Sequence, residues 1–404
     1  MMESRCPSII ARADTTYRND ILRAPFSGVL EAGWSTLILL IAIRHFSAPE
    51  NYKAFIASAP PIGFLLTPLT TYLVAKWHLR PSLVSACVLA LTALLFVGAT
   101  VIESLFLFTV LIMMSQIITV QQGPLMTQIY TENYPASQRG RRLATPFIIT
   151  ALSTILFSLA GGQLLDWSMA YYPWLLLAMA FSALACALAT NRIPSTPLST
   201  KMAGGPLQNL SLIWKDKLFG CMLGSWMLLG LGNLITIPIR VEYLANPRYN
   251  INLENTSVAF LLVMVPSVVR ILSTKLFGRL FDNLHFITIR NLLNVFYLLG
   301  IICFFLTENI IVLTLAMAFV GLSNGGGKIV WHLWVTKIAP PEKVSAYMSV
   351  HMALTGVRGT LAPFLGYWIL SRFSPQGVAM VSTLLICISI VSFEYLRHHK
   401  RLDN

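Results

Sequence analysis

The sequence predicts an all-α polytopic membrane protein of about twelve transmembrane helices, arranged as two six-helix bundles with both termini cytoplasmic. Three observations lead there: a charge-poor composition, long apolar runs recurring along the chain, and basic residues on alternate connections. Of 404 residues, 56% are hydrophobic and 11% are charged. Soluble domains carry about 25% charged residues, so this chain lacks the polar side chains to cover a water-soluble surface. Its longest polar stretch runs from about residue 191 to 217, too short for a soluble domain of useful size.

A spanning helix needs about 20 apolar residues. The apolar runs place six at 24–44, 54–75, 82–102, 104–130, 143–165 and 172–190, and six more at 218–240, 256–281, 289–306, 309–336, 345–370 and 376–396. Helices are expected because backbone groups in lipid must bond within their own element, and the runs are too long for barrel strands. The first run follows a tail holding Arg5, Arg12, Arg18 and Arg23 and contains Glu31, so it reads as a first span rather than a cleavable signal. The resulting organisation is a cytoplasmic tail at 1–23, a bundle at 24–190, a cytoplasmic loop at 191–217, a second bundle at 218–396 and a cytoplasmic tail at 397–404.

Lys and Arg set the orientation. With the amino terminus inside, the inner connections hold about 20 of them (Arg23, Arg139 and Arg290 included) and the outer ones about 5, namely Arg44, Lys53, Arg240, Arg248 and Arg372. The net charge of +13 then follows from topology and gives no reason to expect nucleic acid. Five of the six cysteines lie in apolar runs without metal-type spacing, so no metal or cofactor is expected.

The halves carry a faint repeat. Thr131, Pro135, Gly161 and Leu165 match Thr336, Pro340, Gly366 and Leu370 at one constant offset. Six helices repeated in parallel is a transporter architecture, with the solute site expected near mid-membrane between the halves.

The connections extend this. Gly278-Arg279-Leu280-Phe281-Asp282 has a Gly four residues before an Asp, and Tyr134-Pro135-Ala136-Ser137-Gln138-Arg139-Gly140-Arg141-Arg142 has a Pro followed by Arg-Gly-basic. In these motifs, and in its layout over the whole chain, the sequence resembles the major facilitator superfamily. The resemblance implies roles for Gly278, Asp282 and Arg139 in gating loops. Two departures stand out. The 71–80 connection lacks the Gly and the Asp, and Phe157-Ser158-Leu159-Ala160-Gly161-Gly162 lacks the Gly-Pro of the antiporter signature.

Ionisable groups within spans are costly and tend to be functional. Arg358, midway along the eleventh run between Gly356 and Gly359, is a candidate anchor for an anionic group, because guanidinium grips carboxylate or phosphate with two prongs. Arg270 lies about 18 Å inside Asp282 at 1.5 Å per residue. Asn324, Lys328, Trp331 and His332 share one face of the tenth run, beside Gly325-Gly326-Gly327. The Gly-Gly-Gly-Lys segment lacks a preceding strand and full P-loop spacing, so it suggests close helix packing instead. Gln121, among the glutamines of the fourth run, could bind a polar solute or bond across helices. Trp226 and Asn233 share a face of the seventh run as cavity candidates. Glu31 could carry a coupling proton if desolvated, or act as a fixed counter-ion for Lys328 or Arg358.

Arg270, Lys275, Lys328 and Arg358 outnumber the one interior acid so identified, Glu31, which favours an anionic or polar metabolite. The expected activity is secondary active transport of a small solute by alternating access, as symport with a proton or another coupling ion. Proton-antiport efflux of drugs or metabolites is the alternative, and a transporter-like sensor the alternative of another class. No ATPase motif is present, nor a set of residues at reactive spacing, so an enzyme is not expected. The expected partners are the solute, the coupling ion and the lipid bilayer of the cell membrane (the inner membrane in a bacterium), with the chain a monomer.

Overall fold

Amides buried in hydrocarbon must bond within their own element, and the chain meets this with helices. The computed structural model describes residues 6–198, 208–340 and 343–402, and among them no strand occurs. The first half holds α1 (Cys6–Ala32), α2 (Ile38–Arg44), α3 (Glu50–Lys76), α4 (Pro81–Thr100), α5 (Leu105–Val120), α6 (Gln122–Asn133), α7 (Ala136–Trp167) and α8 (Tyr172–Asn191). The second holds α9 (Leu212–Lys215), α10 (Lys217–Ala245), α11 (Asn255–Ala259), α12 (Val265–Asn283), α13 (Phe286–Phe305), α14 (Ile310–Leu333), α15 (Val344–Arg372) and α16 (Pro375–Tyr395). A π-helical turn, Gly33–Leu37, joins α1 to α2, and a second, Phe260–Met264, joins α11 to α12.

Among the described residues, 11 helical segments are long and apolar enough to cross a membrane. Large apolar side chains stand outward on them, such as Leu94, Leu156, Leu272, Ile311 and Met380, as a lipid-facing surface requires. The 29-residue α15 falls outside the 11 segments. It carries His351, Arg358 and three glycines, which dilute its apolar character.

The chain forms two compact units: Met1–Ala48 with Ile62–Gly205, and Pro49–Pro61 with Pro206–Asn404. In the first, α1 packs on α7 and α8, and α4 on α5 and α8. In the second, α10 packs on α15 and α16, and α13 on α14 and α16. The packing order is therefore the same in both, and the sequence repeat falls on it. A Cβ at Gly161 would overlap Leu37, and one at Gly366 would overlap the carbonyl oxygen of Ile235. Both glycines let helices approach closely. Gly321, Gly325 and Gly326 of α14 do the same against Pro266, Ser273 and Leu293.

Several charges assigned above to connections lie inside helices instead. Arg23 is in α1, three residues after Asp20, which is 1% exposed and accepts from the hydroxyls of Tyr130 (3.0 Å) and Tyr134 (2.9 Å). Lys53, 4% exposed, donates to Glu242 at 2.7 Å and lies over the Tyr367 ring. Arg240 donates to Thr236 and to Tyr297, both at 3.0 Å. Arg290 is 5% exposed within α13. Each finds a polar partner or an aromatic face in its helix surroundings, which hydropathy along the chain cannot register. Asp20 and Glu242 also correct the count of interior acids, which was limited to Glu31.

Outside the spans, Asp216 caps α10 through the Phe219 amide. Arg401 grips both its oxygens, at 2.5 and 2.9 Å, and the Tyr347 hydroxyl adds a bond at 2.8 Å. Partial burial pushes this carboxyl up, but the bonds from Arg401, Phe219 and Tyr347 outweigh it and hold it at about 2. A carboxyl depressed in the folded state adds stability above its ordinary range, and that stability is lost as pH falls. Asp216→Asn is therefore expected to lower the melting temperature by a constant amount above about pH 5. The gap should close between the ordinary carboxyl value of 3.8 and about 2, as thermal melts across pH would show.

Candidate functional site

Within the second unit, α10, α13 and α15 bring two cations to one tryptophan. Trp226 is 3% exposed. The Arg290 guanidinium lies 4.9 Å from its ring centroid, and Arg290 Nε donates to Asn294 Oδ1 at 2.9 Å, one turn along α13. Arg358 reaches over from α15 and donates through Nη1 to the Trp226 carbonyl. It fits only because Gly230 has no side chain; a Cβ there would overlap the guanidinium. The two guanidinium charges repel one another. Among the described residues, neither forms an ion pair with a carboxylate.

Among the described residues, the surrounding polar atoms without a partner are mostly donors. Trp226 Nε1, Trp334 Nε1, Asn294 Nδ2 and Arg358 Nε are buried donors without an acceptor among the described residues. Asn233 Oδ1 is a buried acceptor without a donor among the described residues. Trp334 lies 5.8 Å from the Trp226 ring, and Trp331 lies 5.1 Å from His351. An uncompensated buried charge and an unmade hydrogen bond each cost free energy. A cluster of two cations and surplus N–H donors therefore suits an acceptor-rich anion.

The other sequence candidates fall elsewhere. Gln121 is committed to helix contacts: it accepts from Thr70 (2.8 Å) and donates to the carbonyls of Gly63 (2.9 Å) and Ile117 (2.8 Å). That is the cross-helix alternative and leaves the amide little to offer a solute. Arg270 is half-buried, with no ion pair or side-chain hydrogen bond among the described residues. Asn324 and Lys275 are exposed. Arg139 donates to the carbonyls of Thr131 (3.2 Å) and Tyr134 (3.3 Å) and so braces the corner between α6 and α7. Gly278 is in α12. The side chains of Asp282, Lys328 and His332 lie outside the described residues.

Sequence reasoning missed Arg290 and Asn294 as site residues, although their spacing of four inside an apolar run was the available signal.

The first unit holds a cavity of about 440 Å³ lined by Glu31, Trp34, Ser35, Gln122, Thr150 and Ser27, among others. Glu31 is exposed within its unit, with no ion pair among the described residues. The π-helical turn at Gly33–Leu37 follows directly, and such turns occur often at functional positions. A Cβ at Gly33 would overlap Met179, so this wall of the cavity is closely packed.

Three comparisons bear on this arrangement. No curated protein matches the sequence. Solved structures do match the fold. The nucleoside transporter NupG has a TM-score of 0.76 at 14% identity, over 95% of this chain and 100% of its own. A bacterial homologue of the human lysosomal transporter Spinster has 0.68 at 14%, over 97% and 96%. A D-xylose-proton symporter has 0.68 at 13%, over 94% and 97%. At these identities the likeness is one of fold. The sequence profile of the Major Facilitator Superfamily matches residues 26–326. With two helical units of the same packing order and this profile over most of its length, the chain belongs to the Major Facilitator Superfamily.

Proposed function

We propose that the protein is a secondary active transporter of a small anionic solute, and that Arg290 and Arg358 hold the anionic group beside Trp226. The observation that carries this reading is the pair of guanidiniums with no carboxylate partner among the described residues. Other cations in the same unit have their partners in place: Lys53 has Glu242, Arg401 has Asp216, and Arg240, without a carboxylate, bonds the Thr236 and Tyr297 hydroxyls. A carboxylate, phosphate or sulfate brings the acceptors that Arg358 Nε and the neighbouring indole and amide donors lack among the described residues. Energy comes from an ion gradient or from the solute gradient, because the sequence has no nucleotide-binding motif. On this reading α15 is the twelfth crossing, with Arg358 sheltered from lipid by α10, and both termini are cytoplasmic.

The test is a melting screen of the purified protein with inorganic phosphate, inorganic sulfate and small mono- and dicarboxylates against neutral isosteres. A ligand at 100 times its Kd stabilises the folded state by about 2.7 kcal/mol. At least one anion should raise the melting temperature in a dose-dependent way. Stabilisation by neutral sugars or nucleosides alone would overturn the reading.

A further inference from the structure

We propose that the cleft where α1 and α7 enter the membrane is a binding site for the headgroup of an anionic phospholipid. A cavity of about 560 Å³ opens there, lined by Asp14 and Tyr17 of α1 and by Gln138, Arg141, Arg142 and Thr145 of α7. The two helices run in the same direction: Arg142 Nη1 donates to Asp14 Oδ1 at 2.8 Å, and further along both, Thr150 Oγ1 donates to the Ala24 carbonyl at 3.1 Å. Their membrane-crossing segments begin beside the cavity, at Ala11 and Gln138. The cavity therefore lies where hydrocarbon gives way to headgroups.

Its charges are unequally matched. Asp14 has Arg142, whose guanidinium also lies 5.7 Å from the Tyr17 ring centroid and donates through Nε to Gln138 Oε1 at 3.3 Å. Nearby, Arg12 pairs with Glu132, and Arg139 bonds backbone carbonyls. Arg141 is exposed and has no ion pair or side-chain hydrogen bond among the described residues. Two arginines and one aspartate leave the wall with one positive charge in excess. Its hydrogen-bonding groups lean the same way. With Gln138 Oε1 occupied, that amide has its two N–H donors left. Tyr17 and Thr145 add hydroxyls that make no hydrogen bond among the described residues. A phosphate diester supplies the missing negative charge and acceptor oxygens, and a guanidinium grips it with two prongs.

The surface beyond the cavity decides what carries the phosphate. On the face of α7 that holds Arg141 and Thr145 come Ile148, Leu152 and Leu156 at helical spacing, 52%, 51% and 68% exposed. A free anion gains nothing from an exposed apolar stripe, whereas a lipid with its phosphate in the cavity can lay an acyl chain along it. Basic pockets between spanning helices bind acidic headgroups in this way.

The test titrates the full-length protein, in neutral detergent and without any transported solute, with phosphatidylglycerol or with phosphatidylcholine of the same chains. Native mass spectrometry counts the lipids retained. One basic residue beside an acidic lipid is worth roughly fivefold in affinity. The first phosphatidylglycerol should therefore bind at least about fivefold more tightly than the first phosphatidylcholine, and the preference should shrink with added salt. Arg141→Gln should remove most of the preference, and Arg141→Lys should keep part of it. Arg141→Gln should also melt with wild type in the absence of lipid, because Arg141 has no partner to lose. Lys76→Gln removes the same charge from an exposed position at the end of α3 and should bind as wild type does. Equal affinity for the two lipids would overturn the proposal. So would an Arg141→Gln protein that binds like Lys76→Gln, since the preference would then belong to overall charge. Inorganic phosphate that displaces the bound lipid at concentrations equal to the lipid's own would also overturn it, in favour of a soluble anion.

Discussion

Replacing Arg358 by Ala is expected to weaken binding of the proposed anionic solute by about 2–4 kcal/mol, roughly 30- to 700-fold, and to abolish flux at solute concentrations that saturate wild type. The size follows from removing a charged donor from a water-poor site where Arg290 would remain without an anion to face. Arg290→Ala should do the same, because both guanidiniums gather at Trp226. Arg358→Lys should recover little, since a point ammonium cannot reproduce the planar fork. The most telling variant leaves every charge in place. Gly230→Ala puts a methyl where the guanidinium now lies, so it should displace Arg358 and lose affinity with net charge unchanged. Arg270→Ala is the internal comparison, with a smaller loss. Calorimetric titration of purified variants, paired with flux into proteoliposomes, checks the series. Wild-type affinity in both Arg358→Ala and Arg290→Ala would remove the pair from the solute site.

The second large effect is on stability. Lys53→Ala should cost about 3–5 kcal/mol, because it leaves Glu242, 2% exposed, as an unpaired buried carboxylate. Asn246 also donates to Glu242 Oε1 at 2.7 Å, but Oε2 has no partner among the described residues, so little remains to replace the ammonium. The double change Lys53→Met with Glu242→Leu should return most of that loss, and could exceed wild type, because burying two charges is itself costly. Melting curves of the two singles and the double form the cycle that isolates the pair. Singles that each cost under about 1 kcal/mol would mean that water reaches the pair.

The fold was legible because its causes are spread along the chain. Apolar runs of spanning length and the scarcity of charge act over hundreds of residues, and no single misread position disturbs them. The repeat was legible for a different reason. Gly161 and Gly366 are each required by a close helix approach, so the same residue recurs where the same contact does. The site was legible only in part. Arg358 stood out because glycines flank it in the middle of a long run. Arg290, near the start of its helix, looked like a loop charge, and only the position of Trp226 on another helix shows it to be buried. Lys53 and Glu242 are 189 positions apart, so no local pattern joins them. Gln121 shows the opposite limit: the sequence leaves solute binding and a bond across helices both open, and the carbonyls of Gly63 and Ile117 beside the amide favour the second.

The grip of Arg401 on Asp216 matters for how the protein is handled at the bench. The neighbouring Leu402 is only 3% exposed, so the last described turn is a docked anchor. An affinity tag or fluorescent fusion joined directly behind it would pull a hydrated peptide against that anchor and loosen the start of α10. A flexible spacer ahead of the tag avoids the disturbance, and without one a fusion could make a sound transporter look fragile.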